Sequence, residues 1–290
     1  MENTVQIKYP SSKKKFRLGF YLATLMVIIG VITMIFPYVW MFFTSFKTNN
    51  EAFANPPTWI PSEWLVDSYK GILKDSGFYK SIINTITIEV SVIIVGTFFA
   101  ALSAFAFAKI KFKFKKFWLL LLMSSMMVPY AAVMLPQYRA FQSAELTETL
   151  WPLILPGLFG NVSMMFFLIT YMKSSIPDAL IESAKIDGSS YVKIFFQIAL
   201  PLSKPAIAAQ AIFWFVGIWN DFFAPSIYLT NPDKLTLQVY LNTLVSSYGG
   251  GIDLPVLMAG SVLASVPMMI IFFSFQNFFI NSISFSGMKE

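Results

Sequence analysis

Ser175-Ile176-Pro177-Asp178-Ala179-Leu180-Ile181-Glu182-Ser183-Ala184-Lys185-Ile186-Asp187-Gly188 reads as one short helix with both ends marked. Ser175 is suited to the N-cap. Pro177 falls in the first turn, where a missing N–H removes no helical bond, and Asp178 complements the positive end of the helix dipole. Gly188 fits the left-handed position that stops a helix. Ile176, Leu180 and Ala184 lie on one stripe; Asp178, Glu182 and Lys185 lie on another. A second short helix follows, ending at Ile198-Ala199-Leu200-Pro201. The pair occupies a connection from Lys173 to Lys204, flanked on both sides by long apolar runs. Helices that rest on lipid headgroups carry basic polar faces. This one sets Asp178, Glu182 and Asp187 against Lys185, so anionic lipid would repel it. The expectation is a docking helix for a protein partner, lying outside the membrane and unburied by it.

The surrounding sequence supplies the membrane. Hydrophobic types make up 56% of the 290 residues and charged types 12%, with a mean hydropathy of +0.65; an average soluble domain carries roughly 25% charged residues. A helix needs ~20 apolar residues to cross the ~30 Å hydrocarbon core. Six stretches meet that requirement: about Leu18–Phe46, Ser81–Ala108, Phe117–Gln137, Leu150–Met172, Pro205–Leu229 and Val256–Ile283. The fold class expected is therefore all-α integral membrane with six transmembrane helices. The absence of Cys and His excludes disulfide scaffolds, Cys- or His-ligated zinc, thiol nucleophiles and His-based triads.

Net charge is +6, but its distribution matters more than its sum and points to membrane lipid, not nucleic acid. Fifteen of the 21 Lys and Arg fall in the N-terminal segment, in the Lys109–Lys116 and Lys173–Lys204 connections and in the tail. This bias places both termini in the cytoplasm. The organisation expected is a cytoplasmic segment 1–17, a membrane domain 18–283 with the inner loop at about 173–204, and a cytoplasmic tail 284–290. The first apolar run is too long for the core of a signal peptide and reads as a retained span. On the outer face, Asn55-Pro56-Pro57-Thr58-Trp59-Ile60-Pro61 and Trp64 suggest a stiff crossing with Trp at the headgroups. Gly249, Gly250 and Gly251, before the last span, suit a backbone that must bend sharply.

Glu182-Ser183-Ala184, Gly188 four residues beyond Ala184, and Ile198-x-Leu200-Pro201 together resemble the EAA loop of permease subunits in binding-protein-dependent ABC importers. Ser183 stands where Ala is usual; both are small. Trp219-Asn220-Asp221-Phe222, Asn55-Pro56-Pro57-Thr58-Trp59 and Gln276-Asn277-Phe278-Phe279…Gly287 look like carbohydrate importers, and in particular like the six-span partner subunit of the maltose-type system. The likeness runs from Lys47 to Gly287. It implies the type I ABC importer permease fold, with the inner helix acting as a coupling helix, in a bacterial-type cell membrane. It also implies a second, related permease, two ATPase subunits or an ATPase homodimer, and an extracytoplasmic sugar-binding protein. Glu182, Ser183, Ala184, Asp187, Gly188, Ile198, Leu200 and Pro201 are then the ATPase-coupling residues. Gly249, Gly250 and Gly251 become a contact for the binding protein.

No G-x-x-x-x-G-K-[ST] occurs. If ATP drives this chain, another subunit must hold the nucleotide and its Mg, and this chain is a non-catalytic transport subunit without a cofactor of its own. The competing reading is an ion-coupled secondary transporter, which would use ionisable groups near the bilayer midplane. Two acids fall within the expected spans, Glu89 and Asp221, beside the polar Asn84, Asn161, Gln210 and Asn220. With Trp219, Asn84, Glu89, Asn161, Asn220 and Asp221 are candidates to line a sugar pathway. The competing role for them is hydrogen bonding between helices.

Overall fold

The computed structural model describes residues 18–159, 161–246 and 252–286. Gly249, Gly250 and Gly251, the segment 1–17 and the last residues of the tail lie outside them. Among the described residues every regular element is helical and there is no strand. Four helical stretches are long and apolar enough to cross a membrane, and two sharply bent pairs bring the number to six by length and composition.

The first crossing is α1 (Leu18–Thr44), which packs against the last, α16 (Leu254–Ser286), and leaves most of its apolar surface outward. Two short helices follow, α2 (Asn49–Ala52) and α3 (Asp67–Lys74). The proline-rich stretch between them is anchored, not free. Lys47, buried, donates to the Thr58 carbonyl and lies 4.7 Å from the centre of the Trp40 ring; Trp59 meets Phe36 and Trp40 edge-on.

The second crossing starts earlier than expected. α4 (Ser76–Ser91), a π-helical segment Val92–Gly96 and α5 (Thr97–Lys109) form one helix of 34 residues, about 50 Å long. Three apolar clusters lie along it. One surrounds Phe78, Trp219 and Tyr228; a small middle one holds Ile88, Val92 and Ile154; the third joins Ala100, Ala101 and Ala104 to Leu168 and Met172. Small residues in α5 let the two backbones approach closely. At the π segment a Cβ on Gly96 would stand 2.4 Å from the Trp214 ring and 2.6 Å from the Gly157 carbonyl, so only glycine fits that crossing.

Two of the expected spans are broken. Phe117–Gln137 is not one helix: α6 (Lys115–Ser125) and α7 (Tyr130–Ser143) meet at 91°. Pro129 causes this, because a proline disfavours helical geometry in the residue before it. The fourth crossing is α8 (Trp151–Phe159) followed by α9 (Val162–Ser175). The fifth does not reach Leu229. α13 (Lys204–Trp219) stops at Trp219, and after Asn220 and Asp221 a separate α14 (Phe223–Tyr228) follows. The connection before α16 contains a further helix, α15 (Leu237–Ser246), which packs on α4 and α16.

The connection between α9 and α13 holds α10 (Asp178–Ile186), then α11 (Tyr191–Ile194), a π segment Phe195–Ala199 and α12 (Leu200–Leu202) in one run, bent 73° from α13. Three expectations need correction here. Ser175 is not the N-cap; it ends α9, and Pro177 occupies the cap position of α10 without a side-chain bond. Leu180 does not face inward but is 39% exposed, while Ile181 is buried. Nor does the connection lie free of the bundle. Ile181, Ile194, Phe195 and Ala199 belong to the same apolar cluster as α5 and α9.

Candidate functional site

The α10 helix is rooted on one side and open on the other. Ile176 and Ile181 are buried, and Ala184, Ile198 and Leu200 pack against the same cluster. Glu182, Ser183, Asp187, Gly188 and Pro201 are exposed, as is Ile186, so a charged and apolar rim faces away from the bundle. Gly188 has φ +78°, the left-handed geometry expected of it. Its N–H donates to the Lys185 carbonyl at 3.1 Å, and the Ser189 N–H donates to Ala184 at 2.9 Å. That is the double bond pattern of a Schellman stop. The chain then re-enters helix at Ser190, whose hydroxyl accepts from the Lys193 N–H. Lys185 does not pair with Glu182; its ammonium lies 4.1 Å from the centre of the Tyr191 ring.

A residue that the charge count took only as one more basic side chain fixes this arrangement. Lys109, the last residue of α5, has a side chain only 3% exposed. Its ammonium donates to the Ile176 carbonyl and to Asp178 Oδ1, the latter at 2.7 Å. The hydrogen bond and charge of Lys109 hold the Asp178 carboxyl below the usual carboxylate range. The long second crossing is thereby tied directly to the first turn of α10. In the sequence Lys109 looks like one more basic residue at the end of an apolar run, and its partner lies 69 residues away.

A second clasp holds the opposite end. Glu148 accepts from the backbone N–H groups of Thr230 and Asn231, both at 2.9 Å, and from the Thr230 hydroxyl. Lys80 pairs with Asp233 at 2.7 Å, and Thr85 accepts from the Leu237 N–H at the start of α15.

The candidate pathway residues do not form one group. Asn84 donates its amide to the Asp233 and Leu235 carbonyls and so ties α4 to the loop before α15. Asn161 caps α9 through the Met164 N–H. Glu89 is buried on α4, with Oε1 lacking a hydrogen-bond partner. Trp219 is 2% exposed; its indole donates to the Ala264 carbonyl and stacks on Phe215. Trp219 and Asn220 border a cavity of about 490 Å³ with Tyr38, Gln238 and Phe272. Asp221 borders a different one, of about 140 Å³, with Tyr130, Gln137, Thr236 and Pro225.

Comparison with known proteins places this architecture. The family model described as "Binding-protein-dependent transport system inner membrane component" matches residues 92–284. The chain is 32% identical over 258 residues to the arabinooligosaccharides transport system permease protein AraQ of Halalkalibacterium halodurans, covering 88% of this chain and 91% of that one. It is 32% identical to the galactooligosaccharides transport system permease protein GanQ of Bacillus subtilis, over 89% and 91% of the two chains. The crystal structure of a bacterial ABC transporter that imports the acidic polysaccharide alginate superposes with a TM-score of 0.82 at 20% identity, over 93% of this chain and 100% of that one. This likeness is one of fold, the type I ABC importer permease. The chain belongs to the family of inner membrane components of binding-protein-dependent transport systems.

Proposed function

We propose that the chain is the transmembrane permease subunit of an ATP-driven oligosaccharide importer, forming half of the translocation pathway in a bacterial-type cell membrane. Both termini and α10 face the cytoplasm in this reading, as the positive-inside bias supports. A second permease completes the path. Nucleotide and Mg sit in an ATPase pair, and an extracytoplasmic binding protein delivers the sugar. The relatives named above carry arabino- and galacto-oligosaccharides by their names, which supports a carbohydrate of this size.

One observation carries the proposal: α10 is rooted in the core of the second and fourth crossings by Ile181 and Lys109, yet turns Glu182, Asp187 and Gly188 outward. A push on its exposed rim therefore moves membrane helices. Glu182 is suited to meet a basic group of the ATPase. A hydrogen bond to a charged partner contributes ~1.5–3 kcal/mol. The test is ATPase activity of the reconstituted complex. Sugar-loaded binding protein should stimulate hydrolysis when this chain is wild type, and Glu182→Ala should weaken that stimulation. Hydrolysis indifferent to the binding protein would overturn the assignment.

A further inference from the structure

The two broken crossings converge on one cavity. Tyr130 opens α7 just beyond the 91° bend, and Asp221 sits in the gap between α13 and α14. Both border the cavity of about 140 Å³, with Gln137 and Thr236. Interrupted helix at membrane depth is tolerated where it is buried in protein or lines a water-filled cavity. Thr236 adds a second observation. It is 4% exposed, it lines the cavity, and its hydroxyl has no hydrogen-bond partner. An unpaired buried hydroxyl is unfavourable unless a bound group satisfies it.

We propose that this cavity is a subsite for one ring of the carbohydrate in transit, held by this subunit. The inference rests on the carbohydrate-import reading above. The volume is on the order of ten times what one water requires, enough for a ring-sized polyol. The lining has the chemistry such a ring needs. Asp221 uses one oxygen to accept from the Ala224 N–H at 3.3 Å, and a carboxylate retains further acceptor sites for sugar hydroxyls. Gln137 offers both donor and acceptor, and the Thr236 hydroxyl gains its missing partner. Tyr130 presents an aromatic ring, and Pro156 and Pro225 present apolar surface to the C–H face of the sugar.

The chain has no cysteine, so Gln137→Cys gives a single reporter in this subunit. The experiment uses the complete complex, with its second permease, ATPase and binding protein, and reads thiol modification on this chain by mass spectrometry. Wild-type uptake of arabinotriose and galactotriose first identifies which is carried. If neither these nor their di- and tetrasaccharides enter, the carbohydrate reading itself fails, and the subsite with it. With a carried sugar, saturating concentrations should slow Q137C modification about ten-fold, the size of one good hydrogen-bonding contact, while a sugar that is not carried leaves it unchanged. Thr236→Val keeps the shape and removes the hydroxyl. It should assemble as wild type does yet lower uptake about ten-fold. If Q137C reacts equally with and without the carried sugar, or is unreactive in the assembled complex because the second permease fills the cavity, the proposal is overturned. Normal uptake by Thr236→Val overturns it too, because a merely unsatisfied hydroxyl can be replaced without loss.

Discussion

Gly188 has φ +78° and open space where a Cβ would point. Any side chain there is strained by the backbone alone, at ~1–2 kcal/mol, and nothing within this chain adds a clash. Gly188→Val should therefore insert and fold but misdirect the chain between α10 and α11 and crowd whatever docks there. We expect ATPase co-purification to fall to a minor fraction with Gly188→Val, and to recover partly with Gly188→Asn, since Asn tolerates left-handed geometry. Equal recovery of the ATPase with Gly188→Val and wild type would show that this turn is not part of the docking surface. Gly96 presents the opposite case. Its φ is ordinary, but a Cβ would meet Trp214 and the Gly157 carbonyl. Gly96→Ala should cost ~1–3 kcal/mol by overpacking and lower the yield of folded protein, read as a lower unfolding temperature in detergent.

At the scale of the element, Lys109 and Glu148 hold the two ends of the bundle. Lys109→Met removes the donor to the Ile176 carbonyl, a bond worth ~1.5–3 kcal/mol, and frees the first turn of α10. Hydrogen exchange across 176–186 should rise while exchange in α5 stays slow; unchanged protection of 176–186 would mean that Ile181 alone anchors the helix. The outer clasp is acid-sensitive. The Thr230 hydroxyl, then the Asn231 and Thr230 N–H groups, hold the Glu148 carboxyl below the ordinary range, and Lys80 does the same for Asp233. A carboxylate with a lowered folded-state pKa stabilises fully above its unfolded value and loses that contribution as pH falls through the folded value. Protection factors across 230–236, corrected for intrinsic exchange at each pH, should thus be flat from pH 7 to about 5 and should fall below about 4. Glu148→Gln should flatten the response.

Much of this was legible in sequence. The apolar runs locate the four helical stretches that can cross a membrane and the two bent pairs, and Ala184, Gly188 and Pro201 mark the connection around α10 by their resemblance to the EAA loop. The helix stop at Gly188 followed from its residue type. What could not be read depends on distance. Lys109 meets Asp178, and Glu148 meets Thr230, only after the crossings pack, and no local pattern announces either pair. The break after Trp219 lies in an apolar run in which Asn220 and Asp221 looked tolerable within one helix. Leu180 and Ile181 sit on adjoining positions of α10, so the inward one was decided by the approach of α5 and α9 and not by periodicity.

For the whole molecule, the long helix from Ser76 to Lys109 connects the outer clasp, the middle glycine crossing and the root of α10. Under the proposed function, a displacement of α10 by the ATPase would pass along this helix to the loop carrying α15. Outward-facing α1 and the exposed rim of α10 both call for neighbours, the first apolar and the second polar. Under the proposed function the energy source is a partner ATPase and not an ion gradient across these helices. Uptake of labelled arabino- or galacto-oligosaccharide into proteoliposomes holding the complete complex tests that claim most directly. Accumulation should need ATP on the side of α10 and persist when a protonophore and a sodium ionophore collapse both gradients. Accumulation that continues without ATP and stops when the gradients collapse would contradict it.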